Sequence, residues 1–340
     1  MPQQKARNHT FDLLCGLCIV RMIMLHSVSM CSLRHEYWFG KLMAWTFFFI
    51  CFFFFKAGYF NKGFGGSGIS EFLEYFIDRC KRLLVPYLAW GIIGSIIYFG
   101  FVFGFPDCFS SNTRHLHWSH VYLVSHFWGN PPVWFLFSFW ATYVLMYWLR
   151  HRWFLYLLPL LPCVSYVLYR MGNPLWMSLN NVPMGLFMFE LGHLWHRLEM
   201  RCTKRQFLVL SLVLLLVFIV SNKLLFGSYD MSLNHWDHNP LGVMLNTPIA
   251  LTGISGVLLS LPQWRIPGIT FIGEHSMVFF VMHYPLIHLY KFGLGVNHIH
   301  IDHSWWHCIT LMLLIFVLCS LCVKYIEMVP GLSGRWPKNK

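Results

Sequence analysis

The side chains best suited to chemistry in this sequence are ionisable groups that interrupt long apolar stretches: Asp12, Arg21, His26, Glu190 and His283. If these stretches cross a bilayer, each charge at mid-membrane costs roughly 3 kcal/mol or more and needs a partner or a function. A neutral imidazole suits a general base near pH 7, so His26 and His283 are candidates for proton transfer. A single His on an apolar helix is equally compatible with a packing role, and the sequence leaves this alternative open.

The depth of these groups within their stretches suggests two pairs. Arg21 and Glu190 each lie about ten residues from one end of their own stretch, which is near mid-bilayer at a rise of about 1.5 Å per residue. We expect them to form an ion pair, and the alternative is that one of them binds substrate or orients a catalytic group. His26 and His283 each lie about fourteen residues from the inner end, in the outer third of the membrane.

The composition of the 340-residue chain is typical of a membrane protein. Hydrophobic residues make up 57% of it and charged residues 11%, whereas a soluble domain carries roughly 25% charge. The net charge of +12 would suit a nucleic-acid-binding protein, but the basic residues lie in short runs between apolar stretches. We therefore expect a lipid bilayer, and no nucleic acid, as the partner.

The apolar stretches have the length of membrane-spanning helices, which need about 20 apolar residues to cross the hydrocarbon. We predict an all-α fold, a polytopic membrane helix bundle of about ten transmembrane helices in a single domain over residues 1–340. Prolines at positions 159, 162 and 183 interrupt the fifth and sixth of them. The predicted spans are 11–31, 40–60, 83–104, 131–150, 153–170, 180–198, 206–226, 241–262, 269–290 and 305–326.

The distribution of Lys and Arg predicts the orientation. With the N-terminus inside, 18 of the 25 Lys and Arg residues fall in inner segments and six in outer segments, and Arg21 remains within the membrane. Because cytoplasmic loops carry an excess of Lys and Arg, this bias predicts an even number of spans and both termini in the cytoplasm.

The outer segments are rich in histidine. We expect interfacial residues beside Trp305 and Trp306 and no metal site, although the ligand-like spacing within 298–307 keeps a metal site as the alternative. These histidines are His115, His117, His120, His126, His235, His238, His298, His300, His303 and His307.

Five motifs occur along the chain in an order that resembles the membrane acyltransferase-3 family, which includes O-acetyltransferases similar to fucose 4-O-acetylases. The resemblance covers nearly the whole chain, and it rests on the order and spacing of the motifs together. They are Arg7 to Asp12 followed by His26, FFFFKAGYF at 52–60, Arg82-Leu-Leu-Val-Pro86-Tyr87, Trp134-Phe-Leu and Gly273-Glu-His-Ser276 followed by His283.

The resemblance implies an enzyme, an integral membrane O-acyltransferase. Such an enzyme moves an acyl group, commonly acetyl, from acyl-CoA to a hydroxyl of a cell-envelope or exported polysaccharide sugar. It implies a multi-pass protein of the cell (inner) membrane, acetyl-CoA or another acyl-CoA as co-substrate, a carbohydrate acceptor and no permanently bound cofactor. The resemblance assigns catalysis to His26, and a positioned base is what a hydroxyl needs in order to attack a thioester.

Basic residues of the inner loops are the candidates for binding the phosphates of CoA, because cations pair strongly with phosphate oxygens. We assign this role to Arg82, Lys56 and Arg79, although the positive-inside bias alone also explains their charge. Trp134 and Ser276 belong to the motifs. We group these two with Arg21, Glu190 and His283 as residues that contact the substrate or support the structure of the site.

Three positions depart from the family pattern. Cys15 stands where a basic residue is expected, Ala57 stands where Ser is usual, and Arg21 is an addition. The missing basic residue raises the question of how the acyl donor is held, and Arg21 would substitute if it projected into the same cavity. Two other functions stay open: a transporter or flippase of envelope glycan precursors, or a catalytically silent homologue.

Overall fold

The computed structural model describes residues 8–61, 68–113, 121, 125–149, 154–263 and 265–336. Helices dominate, with short 3₁₀ segments at 47–49, 131–133 and 179–181 and a π-helical turn at 80–84. We number the α-helices of the described residues α1 to α16: His9–Met30, Tyr37–Trp45, Cys51–Tyr59, Ile69–Arg79, Val85–Gly104, Pro106–Thr113, Trp134–Trp148, Phe154–Leu157, Leu160–Arg170, Val182–Glu199, Lys204–Leu224, Pro240–Ser260, Pro267–Glu274, Ser276–Val296, Trp305–Met328 and Pro330–Ser333.

The predicted all-α membrane helix bundle is confirmed. Six helical segments of the described residues are long and apolar enough to cross a membrane: α1, the continuous Ile69–Gly104, α11, α12, α14 and α15. Apolar side chains cover the outside of α11 and α15, where Leu216 is 62% exposed and Leu321 is 65% exposed. Such a surface suits lipid and not water. The count of ten spans stays a prediction.

Several of the predicted spans are broken helices. The segment 40–60 consists of α2, a 3₁₀ turn at Phe47–Phe49 and α3, and the segment 269–290 divides at His275 into α13 and α14. The segment 153–170 divides at Pro159 into α8 and α9. Pro183, in contrast, lies in the first turn of α10, where its missing N–H has no intrahelical partner to lose.

Close contacts between backbones fix the position of α1. A Cβ atom on Gly16 would lie 1.9 Å from the carbonyl oxygen of Ile269, and one on Gly273 would lie 1.7 Å from the carbonyl oxygen of Asp12. Only glycine allows α1 and α13 to approach so closely. The Asn8 side chain caps α1 by accepting from the Thr10 N–H at 3.1 Å.

A proline inside α14 is matched by an amide from another element. Pro285 has no N–H to donate to the carbonyl oxygen of Val281, the residue four positions earlier. The Asn130 side chain supplies the missing donor, because its Nδ2 donates to that oxygen at 2.9 Å. Asn130 is fully buried. The motif segment around Trp134 and helix α14 are thus held together just where they reach the site described below.

A small antiparallel hairpin interrupts the helical chain between α11 and α12. Strand β1 (Gly227–Asp230) pairs with β2 (His235–His238), with Gly227 opposite His238. The buried Asn234 holds it in place, since Nδ2 donates to the Ser165 carbonyl at 3.0 Å and Oδ1 accepts from the Tyr229 hydroxyl at 3.0 Å. Burial raises the pKa of Tyr229, so its hydroxyl keeps the proton that it donates.

Candidate active site

A cavity of about 860 Å³ lies within the helix bundle, and we call it the large cavity. Its walls come from α1, the break between α2 and α3, the start of α7, the hairpin and the start of α14. His26 and Arg21 both line it, together with Trp134 and Ser276. The expectation that Arg21 projects into the same cavity as His26 therefore agrees with the structure.

A second cavity of about 510 Å³, the small cavity, adjoins the large one. Lys56 and Arg79 line it. Three residues line both cavities: Phe53, Phe139 and Ser276. We call these three the junction residues, because their side chains lie between the two spaces. The two cavities therefore lie next to each other and meet at the junction residues.

His26 faces the large cavity with two rings of α14 beside it. Its ring centroid lies 5.2 Å from that of His283, with the planes tilted by 34°, and 5.2 Å from that of Tyr284, nearly perpendicular. The equal depth inferred for His26 and His283 corresponds to direct packing of the two rings. His26 is partly buried and reaches the cavity, which a general base must do.

His283 lies behind His26. It is fully buried and lines neither cavity. Its Nδ1 lies 2.6 Å from the carbonyl oxygen of Phe280. Because a carbonyl oxygen only accepts, Nδ1 carries the hydrogen, and in the neutral ring Nε2 is then an acceptor. Nε2 of His283 is buried without a hydrogen-bond partner in the described part of the chain.

The predicted ion pair between Arg21 and Glu190 is wrong, because no such contact occurs between these two described residues. Arg21 Nε donates to the Thr46 hydroxyl at 3.2 Å, and its guanidinium lies 3.7 Å from the ring centroid of Phe49. The break between α2 and α3 supplies both partners. Glu190 is buried on α10 and lines neither cavity.

The cations of the small cavity are held by neighbours of different kinds. Lys56 Nζ donates to the Cys15 sulfur at 3.0 Å, so an ammonium lies beside the position where the family pattern places a basic residue. The Arg79 guanidinium lies 4.5 Å from the ring centroid of Tyr143, a cation–π distance. Both side chains reach the cavity, where a phosphate would meet them.

A comparison with known protein families decides the class. The sequence profile described as an acyltransferase domain, that of the acyltransferase-3 family, matches residues 8–324. The chain belongs to the acyltransferase-3 family. No curated protein and no solved structure matches the chain significantly. The family assignment from the motifs is thus confirmed, and the protein is a multi-pass membrane acyltransferase.

In this acyltransferase, not every predicted site residue reaches a cavity. Arg82 lines neither of them, since its Nε donates to the Asp78 carboxylate at 2.8 Å. The same sequence run therefore contains one arginine that lines the small cavity, Arg79, and one that is held by Asp78 of α4, although Asp78 also lies 3.9 Å from Nε of Arg79. Arg79 ends α4, whereas Arg82 lies within the π-helical turn that separates α4 from α5.

Sequence reasoning missed part of the acyltransferase's large cavity. Arg34 and Tyr284 line it, as does the hairpin segment 228–233. Tyr284 directly follows the predicted site residue His283, so its position in the sequence could have identified it. The hairpin belongs to none of the five motifs. Asp230 in this segment accepts from the Ser232 backbone N–H at 2.8 Å and from its hydroxyl at 2.6 Å, which orders the turn.

The histidines of the outer segments divide into several groups. His126 lines the large cavity, whereas His298 and His300 are exposed. His115, His117 and His120 lie outside the described residues. A group of metal-ligand type in the described structure lies instead near the start of α1, where ligand atoms of His9, Asp12 and Glu274 fall within 4.8 Å of one another. Arg265 Nη2 lies 3.8 Å from Glu274, so this group is also an ion-pair cluster.

Proposed function

We propose that this acyltransferase moves an acyl group, commonly acetyl, from acyl-CoA in the cytoplasm to a hydroxyl of a cell-envelope or exported polysaccharide sugar on the opposite side of the membrane. The observation that carries the proposal is the pair of adjoining cavities. One contains cations suited to phosphate, and the other contains a histidine suited to proton transfer.

The donor enters through the small cavity in this proposal. The chain segments that line it, around Lys56, Arg79 and Tyr143, are those that the Lys and Arg distribution assigns to the cytoplasmic side. The CoA phosphates bind Lys56 and Arg79, and the acyl thioester extends past the junction residues into the large cavity. Arg82 has a smaller role than expected from the motif, because Asp78 already neutralises its charge.

The acceptor enters the large cavity from the other side, which is formed by Arg34, the hairpin and the loop before α7. A cavity of about 860 Å³ lies within the range typical of ligand pockets, roughly 300–1,000 Å³. Its walls combine aromatic rings, including Trp134 and Tyr284, with a few polar groups. This combination suits a sugar, which presents both apolar faces and hydroxyls.

The reaction is a direct transfer. His26 takes the proton of the acceptor hydroxyl while the hydroxyl oxygen attacks the carbonyl carbon of the thioester. The tetrahedral intermediate collapses, the C–S bond breaks, and the CoA thiolate takes the proton from His26. The Arg21 guanidinium places positive charge in the same cavity, where negative charge develops on the carbonyl oxygen.

The location follows the same reasoning. We propose that the protein lies in the cell (inner) membrane with both termini in the cytoplasm. The apolar helices support the membrane, and the Lys and Arg bias supports the orientation.

The test is transfer from radiolabelled acetyl-CoA to envelope glycan in membranes that carry the wild type, His26→Ala or the control His298→Ala. We expect wild type and the control to label glycan and His26→Ala to lose at least about 1,000-fold of the rate, since it removes the general base. Equal labelling by His26→Ala would remove His26 from the mechanism. If the wild type also transfers no label to glycan, then either the donor or acceptor is not the one used, or the protein does not catalyse this transfer.

The joined cavities also favour a second candidate, a transporter of envelope glycan precursors. Binding of CoA separates the two candidates, because a transporter has no need of it. We expect acetyl-CoA to bind the purified acyltransferase, and failure to bind would favour transport. A catalytically silent homologue would transfer no acyl group, whether or not it retained the donor.

A further inference from the structure

The hydrogen-bond state of His26 decides whether it can act as a base, because only an unprotonated ring nitrogen facing the cavity accepts a proton. We propose that His283 is a positioning residue for His26: when substrate binds and the ring of His26 turns, Nε2 of His283 accepts the N–H of His26 on the side away from the large cavity, and the unprotonated nitrogen of His26 then faces the acceptor hydroxyl. This inference rests on the proposed function.

The first support is the proton assignment of His283. Its Nδ1–H donates to the Phe280 carbonyl at 2.6 Å, which leaves Nε2 as the acceptor of a neutral ring. That Nε2 is buried and has no hydrogen-bond partner among the described residues. A buried acceptor without a partner is unfavourable, so Nε2 is available to accept the N–H of the neighbouring ring of His26.

The second support is the order of the groups. The sequence of contacts runs from the large cavity to His26, from His26 to His283, and from His283 to the backbone of α14. His283 does not line the cavity and therefore does not reach substrate itself. A base that faces substrate and is backed by a fixed acceptor is the arrangement that orients the histidine of catalytic triads.

The distance between the rings permits the hydrogen bond. Their centroids lie 5.2 Å apart, and each ring nitrogen lies about 1.1 Å from its centroid, so two nitrogens turned toward each other approach to about 3 Å. Tyr284 packs edge-on against His26 and restricts the rotation of its ring. Hydrogen bonds of catalytic groups are often long in ligand-free structures and shorten when substrate binds.

The third support is the rigidity of the element that carries His283. Its neighbours Phe279 and Val281 are fully buried, and the Asn130 amide satisfies the carbonyl that Pro285 leaves without a donor. A group that directs a proton must be held within about 0.5 Å of its working position. This part of α14 is packed and hydrogen-bonded in a way that meets this demand.

The experiment measures His26 directly, with the full-length acyltransferase purified in detergent. Diethyl pyrocarbonate modifies unprotonated imidazoles, and mass spectrometry of the peptide that contains residue 26 gives the rate of modification as a function of pH. The proteins are wild type, His283→Ala, His283→Gln and, as the control, His288→Ala, a buried histidine further along the same helix. Arg21, Arg34 and Tyr284, which also face His26, are unchanged in all four.

For His283→Ala we expect a shifted pH profile of His26 modification and a fall of roughly 10- to 100-fold in kcat for acetyl transfer, with KM changed less than about threefold. His283→Gln should keep a pH profile of His26 modification and a kcat close to those of the wild type, because the Oε1 of glutamine accepts the same N–H of His26. His288→Ala leaves both readouts at the wild-type level.

Two results would overturn the proposal. One is a pH profile of His26 that is the same in wild type and His283→Ala. The other is a His283→Gln protein that folds, as judged by its thermal transition, but behaves like His283→Ala. The modification assay needs no acyl transfer, so it decides the role of His283 even if the wild type transfers no acyl group and the proposed function fails.

Discussion

The two cavities differ in the chemistry of their walls although only three side chains separate them. The large cavity encloses His26 among mostly aromatic and apolar residues, with a second, buried histidine behind it and with Arg21 and Arg34 also in its wall. The small cavity is lined by two cations, Lys56 and Arg79, and by no histidine of the described residues. Proton transfer needs a neutral, enclosed base, whereas phosphate binding needs positive charge that solvent can reach. In the proposed function, this difference corresponds to donor phosphates bound in the small cavity and group transfer in the large cavity.

The junction offers the sharpest test of this division. Ser276 lines both cavities at the start of α14, and Ser276→Phe places a large side chain at the junction while His26 and Lys56 stay unchanged. We expect acetyl transfer to fall roughly 100-fold while the affinity for CoA changes little, because the thioester no longer reaches the base. Rates from labelled acetyl-CoA and binding by calorimetry provide the two numbers.

The conservative replacement Ser276→Ala serves as the control for that variant and should transfer at nearly the wild-type rate. If Ser276→Phe transferred acetyl at the normal rate, the acyl group would have to reach His26 by another route. The assignment of donor binding and group transfer to separate cavities would then be incorrect.

The small cavity alone is tested by a matched pair of substitutions. Lys56→Gln removes a cation that reaches the cavity, whereas Arg82→Gln removes one that is paired with Asp78. We expect KM for acetyl-CoA to rise about tenfold in Lys56→Gln, the value of one charge-assisted hydrogen bond, and less than about threefold in Arg82→Gln. The turnover number should change little in either.

The reverse order of effects would return Arg82 to the donor site, as the motif alone suggested. Equal and small effects in both variants would mean that the phosphates bind elsewhere and that these charges serve orientation only.

A substitution in the hairpin should have the smallest effect on the rate of acetyl transfer, because the hairpin lines the large cavity and not the small one. Asn234→Ala removes hydrogen bonds to the buried residues Ser165 and Tyr229. We expect a loss of about 1–3 kcal/mol of stability and a fall of a few-fold in acetyl transfer, with KM for acetyl-CoA unchanged. Thermal unfolding in detergent gives the first quantity.

The partly exposed Ser232→Ala, at the turn of the same hairpin, is the control: it removes one hydrogen bond to Asp230 and should lower the melting temperature less than Asn234→Ala does. A rise in KM for acetyl-CoA in Asn234→Ala would link the hairpin to the donor, against the separation of the two cavities.

The apolar stretches and the placement of His26 followed well from the sequence, whereas contacts between helices did not. Each predicted span contains helix in the described residues, because the length and hydropathy of a membrane helix are local properties. The run of phenylalanines at 52–55 made 40–60 look continuous, and the break at Thr46 to Phe49 left no signal. That break gives Arg21 its partners, so the partner predicted from depth alone was wrong.

The sequence by itself determined that this acyltransferase is a helical membrane protein, where its helices lie and how deep His26 and His283 sit along them. The hydrocarbon of a bilayer imposes these features on any chain that crosses it. Only the tertiary structure decided that the two histidine rings meet, that Arg82 is held by Asp78 and that Arg21 faces Thr46. Depth is a property of one helix, whereas a contact depends on the rotation, tilt and breaks of two.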